Sequence, residues 1–325
     1  MKRLLGAMVA AAVVLAAGAS AAQQYPDRPI TMVVPFRAGG PTDTVGRTLS
    51  DAMGRFLGQQ VQVQIIDGAG GTIGAQRVAE AAPDGYTILL YHVGMATTPT
   101  LFPDLPYDPL TAFAEIGLAT EVPMTLVGRQ RLPASSYEML IGYLGENLDR
   151  MAMAHAGVGS ASHLCALMFR QITGLDIVTV AYTGTAQAML DLAGEFVDIM
   201  CDQTTSTTVN IQDGRVNGFF VTSPERLPQI RNVPTVAEVG LPPEMQMSIW
   251  HGLWAPAGTP PEIVQRLNEA LRFALTDPQV LRTFDLFATT VSPLEDQTPE
   301  ALRARVESEI EYWRPLIEAA GAFVE

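Results

Sequence analysis

The sequence predicts an α/β chain folded as a two-lobed clamshell, each lobe a mostly parallel sheet flanked by helices. Three observations carry this. Short apolar runs alternate with segments of helical periodicity, the pattern of parallel strands joined by crossover helices. A strand, glycine-rich turn, helix unit in the first part of the chain recurs near residue 155. The length, 325 residues, suits two α/β lobes better than one compact domain. The expected division is 23–127 for the first part of lobe 1, 128–248 for lobe 2, and 249–325 for a return to lobe 1.

Residues 1–22 stand apart. Met1-Lys2-Arg3 precedes an unbroken apolar run and then Gly18-Ala19-Ser20-Ala21-Ala22. A basic start, a short apolar stretch and small residues before a cleavage point make a secretory signal. The run is short for a membrane span and no second one follows. Cleavage near Ala21 or Ala22 would leave an exported, periplasmic chain with no membrane insertion. Without Lys2 and Arg3 it carries 18 basic against 34 acidic side chains, a net charge of −16, and Lys2 is the only lysine. Such a chain is repelled by nucleic acid and anionic lipid, which excludes both as partners. An anionic ligand would have to be held by local dipoles against this field. The two cysteines, Cys165 and Cys201, make neither a metal cluster nor a disulfide framework. An oxidising compartment permits a bridge, but two buried free thiols are the expectation.

The first strand, residues 30–34, is apolar on both faces. Pro35-Phe36-Arg37-Ala38-Gly39-Gly40-Pro41-Thr42-Asp43 turns it into a helix that carries Val45, Leu49, Met53 and Phe56 at helical spacing and stops at Gly58. Thr42 or Asp43 is the expected N-cap. Adjacent glycines at a helix N-terminus expose backbone N–H groups and let an anion approach; a tight loop without a ligand is the competing reading. A second strand at 61–66 leads to Asp67-Gly68-Ala69-Gly70-Gly71-Thr72 and another helix. The third, 86–91, ends in His92-Val93-Gly94-Met95. Ligands of such sheets sit at these carboxyl ends. A Pro-rich surface passage follows at 99–109, then two strands, 113–119 and 124–128.

In the second lobe a helix capped by Ser135 or Ser136 precedes a strand from 151. That strand ends in His155-Ala156-Gly157-Val158-Gly159-Ser160-Ala161-Ser162-His163 and feeds a helix. Strand 177–180 runs into Tyr182-Thr183-Gly184-Thr185, strand 196–200 into Cys201-Asp202, and a further strand spans 216–221. The return passes through Trp250-His251. Thr259-Pro260-Pro261-Glu262 reads as a capping box, and the last helix, from Thr298-Pro299, places Leu302, Val306, Ile310, Trp313 and Ile317 on one stripe.

These motifs, with Tyr25-Pro26-Asp27-Arg28-Pro29-Ile30, Gly68-Ala69-Gly70-Gly71-Thr72-Ile73-Gly74-Ala75, Ala82-Pro83-Asp84-Gly85-Tyr86-Thr87 and Val233-Pro234-Thr235, closely resemble the Bug-type receptors of tripartite tricarboxylate transporters. The resemblance spans the chain from about Tyr25 to the last helix. It implies a periplasmic-binding-protein clamshell, type II-like, that captures a small carboxylate and delivers it to separate permease subunits, as a monomer. It also implies that the turns Phe36 to Asp43 and Gly157 to His163 hold one ligand carboxylate. His92-Val93-Gly94-Met95, His155 and Cys201 depart from the commoner pattern, and bear on the distal end of the ligand.

The resulting ligand set is Phe36, Ala38, Gly39, Gly40, Thr42, Asp43, His92, Val93, Gly94, Met95, His155, Gly157, Gly159, Ser160, Ala161, His163, Tyr182, Thr183, Gly184, Thr185 and Asp202. No metal and no cofactor are expected. Thr42 and Ser160 can both cap and donate, whereas Arg37 can simply face solvent. Bulky His92, Met95, His155, Tyr182 and Trp250 favour an aromatic or medium-chain dicarboxylate over citrate, since each unpaired buried charge is costly. Ser160, His163 and Asp202 are the residue types of a hydrolase triad, yet Gly-x-Ser-x-Gly, HExxH and a phosphate loop are all missing. A binding protein, not an enzyme, is expected. A carboxylate-ester hydrolase or a ligand sensor for a signalling partner are the alternatives.

Overall fold

The computed structural model describes residues 25–321; the expected secretory signal and cleavage point lie outside the described residues. Apolar β1 (Ile30–Val34) is hydrogen-bonded in parallel to β2 (Val61–Ile65) and β3 (Thr87–His92). The return strand β9 (Ser248–Pro256) lies antiparallel to β3 and to β4 (Phe113–Arg129). In the other lobe β5 (Ala152–His155) is parallel to β6 (Val178–Ala181) and β7 (Ile199–Gln203). The end of β4 pairs antiparallel with β7 and with β8 (Val216–Val221), and β10 (Thr290–Val291) pairs with Thr120 and Glu121 of β4 on the edge opposite β9.

The expected pair of strands around 113–128 is therefore one strand of 17 residues. Its partner is β9 up to Pro123 and β7 and β8 from Met124. Pro123, which has no N–H to give, falls where the partner changes, so it interrupts no ladder. β4 and β9 together carry the chain between the lobes.

Helix α1 (Pro41–Leu57) begins at N-cap Gly40 with Pro41 in its first turn, and closes at Gly58 in the left-handed region. Thr42 and Asp43 lie inside the first turn and neither is the N-cap: Asp43 instead accepts from the Gly39 N–H at 2.8 Å and pairs with Arg47. After α2 (Thr72–Ala79), α3 (Gly94–Leu101) occupies the start of the expected surface passage and is buried over most of its length, Pro99 included in the helix. Helix α4 (Tyr137–Asn147) is capped by Ser136. Helices α5 (Ala161–Thr173), α6 (Thr185–Ala193) and α7 (Thr204–Gln212) follow β5, β6 and β7. β7 starts later than the expected 196–200, because Phe196 is left 81% exposed after Glu195 turns the chain at positive φ. The capping box at 259–262 does not form. Pro260 is the N-cap of α8 (Pro261–Thr276), and the Thr259 hydroxyl donates to the Pro256 carbonyl. After α9 (Pro278–Leu286), α10 (Pro299–Ala319) buries Leu302, Val306, Ile310, Trp313 and Ile317 against α3 and β4. That stripe clamps the interlobe strand from behind.

Cys165 of α5 and Cys201 of β7 form a disulfide, which corrects the expectation of free thiols. The helix packs directly on the strand and brings the Cα atoms to 5.9 Å, inside the range a bridge needs. Closing a loop of 36 residues stabilises the folded chain by about 3–4 kcal/mol in the chain-entropy account. Complete reduction is expected to lower the melting temperature by about 5 °C or more. An unchanged transition in protein shown by thiol titration to be fully reduced would contradict this.

Candidate functional site

The carboxyl ends of β1, β2 and β3 face those of β5, β6 and β7 across a cavity of about 420 Å³. Its wall takes Phe36, Arg37, Gly40 and Thr42 from the β1–α1 turn, residues 67–71 from the β2–α2 turn, and His92 from the end of β3. The other lobe supplies Gly157, Val158 and residues 160–162, then residues 182–185, and Asp202 and Gln203. Phe102, just past α3, completes it.

Of the expected ligand set, Phe36, Gly40, Thr42, His92, Gly157, Ser160, Ala161, Tyr182, Thr183, Gly184, Thr185 and Asp202 line this one cavity. Ala38, Gly39, Asp43, Val93, Gly94, Met95, His155, Gly159 and His163 do not. Ala38 and Gly39 lie outside on the exposed turn, while Val93 and Met95 are buried in the core. Gly94 donates its N–H to His92 Nδ1 at 2.9 Å and so fixes that ring. His155 packs against His163 with ring centroids 4.8 Å apart, and His163 Nδ1 accepts from the Gly159 N–H. Trp250 is also fully buried, beside Trp254. Residues 67–71 and Ser162, which belong to the ligand-type turns but not to the expected ligand set, also line the cavity, as do Pro35, Arg37, Pro41, Ala156, Val158, Phe102 and Gln203. The rule that places ligands at strand ends covers the first of these as well as it covers β1; nothing local marks Phe102.

The wall's chemistry suits an anion. Helices α1, α6 and α7 start at Gly40, Gly184 and Gln203 with no side-chain cap, so their first N–H groups keep no intrahelical partner and their dipoles aim positive ends at the cavity. In the α5 turn the Ser160 hydroxyl is already committed. It donates to the Gly157 carbonyl at 2.6 Å and accepts from the His163 N–H. The donors left there are backbone N–H groups of the first helical turn and the Ser162 hydroxyl, which accepts from the Ala156 N–H and lies 3.1 Å from the Ser160 hydroxyl. The guanidinium of Arg37 is held by Asp67 at 3.0 Å. Phe36 stacks on His92 at 4.3 Å and closes one side with apolar surface. Burial lowers the His92 pKa well below the usual imidazole value, so the ring is neutral.

Two further features matter. Asp202 is 1% exposed: one carboxylate oxygen accepts from the Gln203 N–H at 2.8 Å and Oδ2 has no partner among the described residues. No hydrogen bond joins the side chains of Ser160, His163 and Asp202, so these three do not form a proton-relay triad. The lobes also touch. A Cβ on Gly70 would lie 2.9 Å from the Val158 carbonyl oxygen, and one on Gly184 would lie 2.9 Å from Arg37 Cβ. The lobes therefore stand closed around the cavity.

The family model for the tripartite tricarboxylate transporter family receptor matches residues 45–322. The chain belongs to that family. It is 44% identical to periplasmic binding protein BugD, with a TM-score of 0.89 over 93% of this chain and 100% of that one. MatC (Rpa3494) from Rhodopseudomonas palustris, solved with bound malate, is 37% identical, with a TM-score of 0.86 over 90% of this chain and all of that one. Rpa4515 of R. palustris, solved with adipate, is 30% identical, with a TM-score of 0.86 over 91% and 98%. Family receptors are solute-binding proteins with two-lobed α/β folds, and this chain shares that architecture. Among the described residues no helix is long and apolar enough to cross a membrane.

Proposed function

We propose that this receptor captures a small aliphatic dicarboxylate in the interlobe cavity and, as an exported periplasmic protein, delivers it to the membrane subunits of a tripartite transporter. The observation that carries the reading is the convergence of helix N-termini from both lobes on one cavity that offers no unpaired cation. A carboxylate gripped there is held by backbone dipoles. Malate and adipate, bound by two relatives of similar fold, are both dicarboxylates with an aliphatic middle. The cavity volume lies in the range of small-molecule sites. An aromatic acid is the second reading, supported by Phe36, His92 and Tyr182 in the wall. It ranks lower because Met95, His155 and Trp250, which would have extended the apolar surface, lie outside the cavity. Catalysis finds no support in the committed Ser160 hydroxyl.

Because donors come from both lobes, ligand should favour the closed state. Succinate, malate or adipate at about a hundredfold excess over Kd is expected to add about 2.7 kcal/mol of stability and raise the melting temperature by about 5 °C. The scattering radius should shrink with it. Stabilisation by dicarboxylates without compaction would count against a site shared by both lobes. A response to terephthalate or citrate alone would count against the ligand class.

A further inference from the structure

His251 sits on β9 directly opposite Thr120 of β4, in the strands that run between the lobes. Its ring bridges two threonines. Nδ1 lies 3.0 Å from the Thr120 hydroxyl, and Nε2 lies 3.4 Å from the Thr42 hydroxyl. His251 and Thr120 are fully buried, and Thr42, 2% exposed, belongs to the cavity wall. So a chain of three side chains leads from the interlobe strands to the ligand cavity, and its innermost members, His251 and Thr120, lie behind the cavity wall.

We propose that His251, oriented by Thr120, is a positioning residue that fixes the Thr42 hydroxyl as a hydrogen-bond donor to the bound carboxylate. The inference rests on the carboxylate reading of the cavity. A carboxylate only accepts hydrogen bonds. For Thr42 to donate to it, the Thr42 oxygen must be left to accept from a protonated His251 Nε2. A neutral imidazole has one donor and one acceptor, so Nδ1 then accepts the Thr120 proton. The direction of the whole chain follows: Thr120 donates to His251, His251 to Thr42, Thr42 to the ligand. Burial supports the neutral ring, pushing the His251 pKa down to about 3. The reverse tautomer would turn Thr42's proton toward His251 and present a lone pair to an anion.

Two measurements test it. Nitrogen chemical shifts of His251 in the full-length mature protein report the tautomer, and calorimetry with malate and succinate reports affinity. The expected results are the Nε2–H tautomer at pH 7 and about a tenfold loss of affinity in Thr120→Val. A similar loss is expected in Thr42→Val, and Thr120→Ser should bind within about twofold of the unaltered protein. In the double variant Thr42→Val, Thr120→Val no further loss is expected, because Thr120 acts through Thr42. Melting curves of each variant without ligand separate this from damaged folding. An Nδ1–H tautomer, unaltered binding by Thr120→Val, or losses that multiply in the double variant would overturn the relay alone. Failure of the unaltered protein to bind any small dicarboxylate would overturn the carboxylate reading, and the relay with it.

Discussion

Gly70→Ala is expected to weaken dicarboxylate binding by about tenfold to a hundredfold while the ligand-free protein stays folded. The added Cβ would lie 2.9 Å from the Val158 carbonyl oxygen and 3.2 Å from Gly159 Cα, both on the opposite lobe. Neither can move aside as a flexible side chain would. Overpacking of this kind costs about 1–3 kcal/mol. Here only the closed arrangement bears that cost, so it appears as lost affinity. Gly70 also has φ +63, and the left-handed backbone costs a non-glycine residue about 1–2 kcal/mol in either state. Gly58→Ala controls for that term, since Gly58 has φ +71 and nothing within 4 Å of its Cβ position. Gly58→Ala should lower the melting temperature and keep affinity; Gly70→Ala should lower both and hold the scattering radius at its open value. Arg37→Ala, by contrast, removes a guanidinium already tied to Asp67, and is expected to change affinity by a factor of a few. Equal losses in Gly58→Ala and Gly70→Ala would remove closure from the explanation, and a larger loss in Arg37→Ala would show a salt bridge holding the anion.

The parts of this fold that were legible in the sequence are those written in local pattern. The stripe on α10 reads directly from Leu302, Val306, Ile310, Trp313 and Ile317, and Gly58 marks the end of α1 because a left-handed C-cap needs glycine. The β1–α1 and β5–α5 turns are contiguous, so their glycines and hydroxyls announce a ligand-type turn by themselves. What depends on distant pairing was not legible. Cys165 and Cys201 come together only because α5 packs on β7. β4 reads as two strands because Pro123 looks like a break until its change of partners is seen. Met95, His155 and Trp250 lie near strand ends or the return crossing, yet a side chain's direction there depends on the helix laid over it. The same lesson holds for His251, which sequence offers only as a neighbour of Trp250 and which reaches Thr42 across 209 positions.

Affinity for an aliphatic dicarboxylate is expected to fall as pH rises above 7, by up to tenfold per unit, and to become flat in Asp202→Asn. Burial pushes the Asp202 carboxyl up to about 7, against the Gln203 N–H that donates to it and the nearby Thr185 hydroxyl, which pull it back. A dianion brought into the same cavity raises it further, as like charges do. The complex therefore holds Asp202 protonated, and its Oδ2, unpartnered among the described residues, can carry that proton to a ligand oxygen. Above pH 7 the free protein has lost the proton and must take it up on binding, which is the source of the slope. Other shifted groups titrate elsewhere: His92 well below the usual imidazole range, His163 at about 4, His251 at about 3 and Tyr182 at about 12. Arg37 faces Asp67. Stability of the ligand-free protein carries the same sign at this residue. The raised folded pKa favours folding below the unfolded carboxyl value of about 3.9, and that contribution is lost as pH rises to about 7. An amide at 202 keeps a donor and loses the charge, so Asp202→Asn should bind at pH 8.5 as it does at pH 6.5. Calorimetry across pH 6 to 9 decides the matter. A flat profile in the unaltered protein would remove Asp202 from the contact, and affinity that rises with pH would mean the ligand brings its own donor to Oδ2, a hydroxyl or an ammonium in place of a second carboxylate.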